Sequence, residues 1–248
     1  MNFERYDFSV NDHHGGPREI GNIKKQAPWD LDLTGYNRFC ATIFRAAFHY
    51  YHKDIQGLRR PPQNSFWATQ VKIAAFDWYE ISDNGDMWAG RNLLLGSLIH
   101  IYKPQRPSNE VYATTIHELA HAVHWDMSTQ IAGPFYTNYG RTTTRICEAW
   151  TRGVQWVLTK MEYPSYFGGD NYGDYTNIVV DMIDSESDAI YNNGKSGSLD
   201  QVEGYNIVQI QNALKDSYTS EQWKTKLFNS TTNGTAQHVE ALFTNWGF

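Results

Sequence analysis

The sequence predicts an α+β protein, and three observations carry that prediction. β-prone segments cluster before residue 103, helical periodicity dominates after Ser108, and the two kinds of segment do not alternate. A chain of 248 residues that is 41% hydrophobic and 19% charged is also long enough to bury one core. One domain is expected over residues 1–248: a lead-in over 1–30, a sheet-bearing lobe over 31–130 and a mainly helical lobe over 131–248.

Residues 1–30 are polar and punctuated by glycine and proline, as in His13-His14-Gly15-Gly16-Pro17, and predict an extended segment. An apolar helical pattern then runs over 36–54 through Phe39, Ile43, Ala47 and Tyr50, and Arg59-Arg60-Pro61-Pro62 ends it. Residues 71–79 are β-prone. Asp83-Asn84-Gly85-Asp86 supplies the positive φ angles of a tight hairpin, so a second strand is expected from near Met87. A third is expected over 93–102, with Leu93, Leu95, Ile99 and Ile101 on one face and Pro104 and Pro107 closing it.

Ser108 is a good helix N-cap and Glu110 complements the dipole in the first turn, which predicts a helix to about Met127. Gly133-Pro134 breaks the pattern. Thr142 to Thr144 offer caps for a helix over 144–162, which Tyr163-Pro164 stops. After a loop over 168–174, helices are expected over 175–192, 203–217, 220–228 and 235–245.

A net charge of −6 argues against a nucleic-acid surface, because phosphate binding needs clustered Lys and Arg, and the longest basic runs here are Lys24-Lys25 and Arg59-Arg60. No apolar run reaches the roughly 18 residues that span a bilayer. Met1-Asn2-Phe3-Glu4-Arg5 lacks a following apolar core, so no leader is read. The chain is expected to be cytoplasmic, or secreted or in the cell envelope where an export signal or upstream domain has been removed. Cys40 and Cys147 are compatible with one disulfide or two buried thiols. Asp181, Asp184 and Asp188 share a helical face, and Asp170 and Asp174 flank a glycine-rich loop. Neither set has the twelve-residue calcium-loop pattern, and both are read as solvated surface.

The chemistry concentrates in Thr-Thr-Ile-His-Glu-Leu-Ala-His-Ala-Val-His-Trp-Asp, residues 114–126. His117-Glu118-Leu119-Ala120-His121 is an H-E-x-x-H motif. Residues four apart stand one turn above each other, so both imidazoles can hold one Zn²⁺ while Glu118 faces the open position. Buried without a metal, these groups would each need another polar partner. His124 is a poor third ligand, because His117 to His124 spans about 10.5 Å of helix axis. Glu148, 27 residues after His121 and early in the next predicted helix, leads as third ligand, with Glu162 and Glu186 as alternatives. Ile146, Trp150, Val154, Val157 and Met161 form that helix's apolar stripe, and Glu148, Arg152, Gln155 and Thr159 line another face.

H-E-x-x-H followed by a glutamate on the next helix resembles the gluzincin branch of the zincin metallopeptidases, over residues of about 90–160. The metzincin pattern would need glycine at 124 and histidine at 127, where His124 and Met127 stand. The resemblance implies a zincin-like α+β fold, His117, His121 and Glu148 as zinc ligands, and Glu118 as general base in hydrolysing a peptide or protein substrate. It also implies that the strand around 96–101 is an edge strand on which an extended peptide would pair. Many gluzincins carry an aspartate four residues after the ligand glutamate, orienting the first histidine. Arg152 stands there, leaving Asp126 or a backbone carbonyl for that task. The oxyanion donor is expected to be Tyr205, with His238, Tyr136 and Tyr139 as alternatives. A non-catalytic zincin-fold binding protein and a zinc hydrolase of a non-peptide amide are the other readings; an intact Glu118 favours an enzyme.

Overall fold

The computed structural model describes residues 3–12, 14–19, 32–62, 70–77, 85–88, 98–128, 138–168, 172–185, 201–230 and 232–248. Within them the protein is a mixed α/β structure with seven α-helices and a small sheet. It divides into two compact units, residues 1–53 with 60–122, and residues 54–59 with 123–248. The boundary between these units falls after Ala122, inside a continuous helix.

In the first unit the sheet has the strand order β1-β2-β4-β3. Strand β1 (Phe8–Asn11) runs parallel to β2 (Val71–Ala75), Val10 opposite Ile73. Strand β2 runs parallel to β4 (Leu98–Ile101), Ile73 opposite Ile99. Strand β3 (Gly85–Trp88) pairs antiparallel with β4, Met87 opposite Ile99. Helix α1 (Gly35–His52) lies between β1 and β2 in the chain, which supplies the long crossover a parallel pair requires. It buries Phe39, Ile43, Ala46, Ala47 and Tyr50, the expected 3.6-residue stripe. The Phe8 ring stacks on Tyr51 and meets Phe44 at a tilt of 51°, both at 5.2 Å, which fastens α1 to β1.

Three strand expectations change. The lead-in is extended, but residues 8–11 pair and all four are buried, so this segment is part of the sheet. The hairpin does not join β2 to β3. These strands are not neighbours, because β4 lies between them, and residues 83–84 are outside the described residues. The strand read as an edge is internal: β4 uses both sides of its backbone, on β2 and on β3, so no peptide can add to it. Among the described residues the outer strands of this sheet are β1 and β3. Leu93, Leu95 and Gly96 are outside the described residues.

Helix α2 (Ser108–Met127) runs over the range the capping signals predict. The second unit takes its last turn and adds α3 (Thr144–Glu162), α4 (Ile178–Ile183), α5 (Ile207–Leu214), α6 (Ser220–Ser230) and α7 (Val239–Asn245). Asn206 and Gln209 form a reciprocal capping box at the start of α5. Helix α3 buries Ile146, Trp150 and Val154 on the predicted stripe, and also Glu148, Arg152 and Thr159 from the polar face, whereas Met161 is exposed. Gly153 lets α4 approach closely, because a Cβ there would overlap Val179. Helix α4 stops at Ile183, shorter than expected. Asp181 is fully buried and accepts from Trp246 Nε1 at 2.6 Å, so it is no part of a solvated surface. Asp184 lies beyond the helix in extended backbone, and Asp170 and Asp188 are outside the described residues. No helix among the described residues is long and apolar enough to cross a membrane.

Candidate metal centre

Helix α2 is buried on its apolar face, through Val111, Tyr112, Ile116, Leu119, Ala120 and Val123, and on its polar face as well. His117, Glu118, His121 and His124 are 7, 6, 9 and 2% exposed, which makes ionisable groups on this helix costly unless strongly compensated. The N-terminus is held by an ion pair from Arg106 Nη1 to Glu110 Oε2 at 2.6 Å. The His117 and His121 rings have centroids 4.9 Å apart and cross at 81°, as neighbours one turn apart can.

One group of three metal-ligating side chains converges among the described residues. It consists of His117, His121 and Glu148, with one donor atom from each lying within 4.8 Å of the others. Donors on a tetrahedral zinc with bonds of about 2.0–2.1 Å stand roughly 3.4 Å apart, so small side-chain rotations would close the set. Two imidazoles and one carboxylate are a known zinc donor set that leaves a position open for water. The residues fit the ion. Glu162 is not in this group, and Glu186 is outside the described residues.

His124 is packed against Tyr139, its ring edge-on at 5.0 Å and 89°. Tyr139 also hydrogen-bonds the Cys147 thiol, which burial pushes up to about 11. Cys40 and Cys147 are both free and buried, so the disulfide reading does not hold. Asp126 does not serve as the orienting partner of His117. Its Oδ2 accepts from Arg59 Nε at 3.2 Å and Nη2 at 2.7 Å, and the Arg59 backbone N–H is anchored on Gln211 Oε1 at 2.8 Å. Tyr205 is 1% exposed, follows Gly204 in its left-handed turn and donates its backbone N–H to Met182 O at 2.9 Å. His238 ends a short 3-10 turn (Ala236–His238), and Tyr136 is outside the described residues.

The residue whose importance the sequence concealed is Arg152. It is 7% exposed, and its Nε donates to Asn177 Oδ1 at 3.2 Å beneath the Tyr175 ring, whose centroid is 5.7 Å away. Burial pulls the guanidinium below its ordinary value, while Tyr166, Tyr172, Tyr175 and Glu148 act to keep it charged. The signal in the sequence is its place four residues after Glu148, one turn along the same face of α3.

A polar hollow of about 580 Å³, lined by Asp184, Glu203, Gln209, Asn233 and Thr235 among others, contains none of the predicted site residues. No protein-family model, no curated protein and no solved structure matches this chain.

Proposed function

We propose that this protein is a zinc-dependent peptidase of zincin-like fold, in which His117, His121 and Glu148 hold the metal and Glu118 is the general base. The observation that carries the reading is the convergence of those three donors within 4.8 Å, two of them on the helix that also bears Glu118 beside His117. A zinc ion held there supplies Lewis acidity, which lowers the pKa of water at its open position towards 7. Glu118, buried beside the ligands, takes the proton of the attacking water and passes it to the leaving amine. Tyr205 remains the proposed donor to the oxyanion. The outer side of β3, an outermost strand among the described residues, replaces β4 as the place where an extended peptide would pair.

The test joins metal analysis of the purified protein to a peptide-library digest with and without chelator. One zinc per chain and cleavage that chelator and Glu118→Gln both abolish are expected. No bound zinc sinks the site. Stoichiometric zinc with no cleavage of any peptide sinks the peptidase reading in favour of a binding protein.

A further inference from the structure

Glu148 is only 9% exposed, and a buried carboxylate needs a partner that holds both its charge and its direction. Helix α3 offers one on the same face. Arg152 follows one turn on and is equally buried, and a glutamate four residues before an arginine is the favourable order for a helical pair. Tyr166, Tyr172, Tyr175 and Glu148 all act to keep the Arg152 guanidinium charged. A phenol carries no charge at neutral pH, so Glu148 is the anion of that set.

Arg152 is itself held from a second direction. Its Nε donates to Asn177 Oδ1 at 3.2 Å, at the start of α4, and the Tyr175 ring covers the guanidinium with its centroid 5.7 Å away. Tyr175 packs on Tyr172 at 4.8 Å, and backbone bonds of 3.2 and 2.9 Å between these two tyrosines close the turn at Gly173. Gln155 Nε2 fixes Tyr166 by donating to its hydroxyl at 2.9 Å. A guanidinium can serve two partners at once through its planar fork, which a compact ammonium does less well. All of these residues, Glu148 included, belong to the second unit.

Given the zinc reading above, we propose that Arg152 is the positioning residue of the third ligand: it pairs with the Glu148 carboxylate and, anchored on Asn177, fixes the direction in which that carboxylate meets the metal. The turn and helix start over 172–177 thereby become part of the support of the metal site. Arg152 acts on zinc in two opposed ways. As a nearby cation it repels Zn²⁺, so its removal would tighten binding; as the group that orients Glu148 it favours the ion, so its removal would weaken binding. The sign of the change separates the two.

The test measures the zinc Kd of the full chain by competition with a chromophoric chelator. The proteins are the parent, Arg152→Met, Arg152→Lys, Glu148→Ala and Glu148→Ala combined with Arg152→Met. Val179→Ala is the control, because it loosens the packing of α3 on α4 without altering either member of the pair. Arg152→Met is expected to weaken zinc by roughly 10- to 100-fold, the loss that follows removal of an outer partner of a metal ligand. Arg152→Lys should lose less. In the Glu148→Ala background Arg152→Met should cost nothing further, since the group it acts through is gone, and Val179→Ala should bind zinc as the parent does. Cobalt(II) placed in the site adds a spectroscopic readout of coordination geometry, which Arg152→Met should shift and Val179→Ala should not. Zinc bound equally or more tightly by Arg152→Met overturns the proposal, as does an equal loss in the Glu148→Ala background or in Val179→Ala. If Arg152→Met does not fold, weaker zinc binding by Arg152→Lys supports it and a parental Kd overturns it. A parent that binds no zinc ends the zinc reading and this inference together. A parent that binds zinc and cuts no peptide ends only the peptidase reading, and the same Kd values still decide the role of Arg152.

Discussion

Replacing Glu148 with alanine separates the proposed third ligand from a glutamate that is merely buried. The structure supplies three converging donors, so the change removes one of three protein ligands. A ligand present at 100 times its Kd stabilises the folded state by about 2.7 kcal/mol. For a chain of this length each kcal/mol moves Tm by about 2–4 °C, so zinc should raise the parent's Tm by roughly 5–11 °C. Loss of an outer partner of a metal ligand weakens binding by about 10- to 100-fold, and loss of the ligand itself must cost at least about 100-fold. At the same zinc concentration Glu148→Ala then retains about 0.4 kcal/mol, a rise of roughly 1–2 °C. The quantity to read, by differential scanning fluorimetry against a zinc titration, is the increment caused by zinc, since the truncation also changes the metal-free Tm. Glu118→Gln and Glu162→Ala should keep the parental increment, as neither side chain is assigned to the metal. A parental increment in Glu148→Ala, or its loss in Glu162→Ala, would refute the assignment.

Two further predictions concern packing and pH. Gly153→Ala would ordinarily gain about 1 kcal/mol of helix propensity, but its new methyl overlaps Val179, and overpacking costs about 1–3 kcal/mol. Denaturant unfolding should show a net destabilisation of up to about 2 kcal/mol, partly recovered when Val179→Ala makes room; a Gly153→Ala chain more stable than the parent would show that α3 and α4 do not approach this closely. The Cys40 thiol is pushed up to about 11, chiefly by burial, above its ordinary value of 9.0. The folded state therefore holds this proton longer than the unfolded state. Its contribution is fully present below about pH 9 and is lost as pH rises towards 11. Unfolding curves at pH 8 and pH 10.5 should show a smaller decline for Cys40→Ala than for the parent, and equal declines would remove Cys40 from the cause.

What could be read from the chain alone was whatever depends on spacing within one helix. The Ser108 cap, the apolar period and the i, i+4 histidines are all local, and α2 runs from Ser108 to Met127 as they require. Glu148 was within reach for a related reason, since the next helix had clear caps and few acids. Strand pairing was not legible. Asn84-Gly85 is a strong local hairpin signal, yet β4 takes the place beside β2, because the ladder is decided by which strands bury Ile73 and Ile99 together. The polar appearance of residues 1–30 likewise hid β1, whose burial depends on Phe44 and Tyr51 about forty residues on.

Burial of charge belongs to the same non-local class. Nothing adjacent in sequence says that Asp181 meets Trp246, or that Arg152 lies under Tyr175, since each environment is assembled from segments distant along the chain. The sequence by itself determined α1, α2 and α3 and the H-E-x-x-H motif, because those rest on interactions within about one turn, whereas α4 and α5 are shorter than their pattern predicts. The tertiary structure alone decided the sheet order, the internal position of β4 and the buried arginine one turn beyond Glu148. Those depend on which surfaces leave water together, and that is a property of the packed whole.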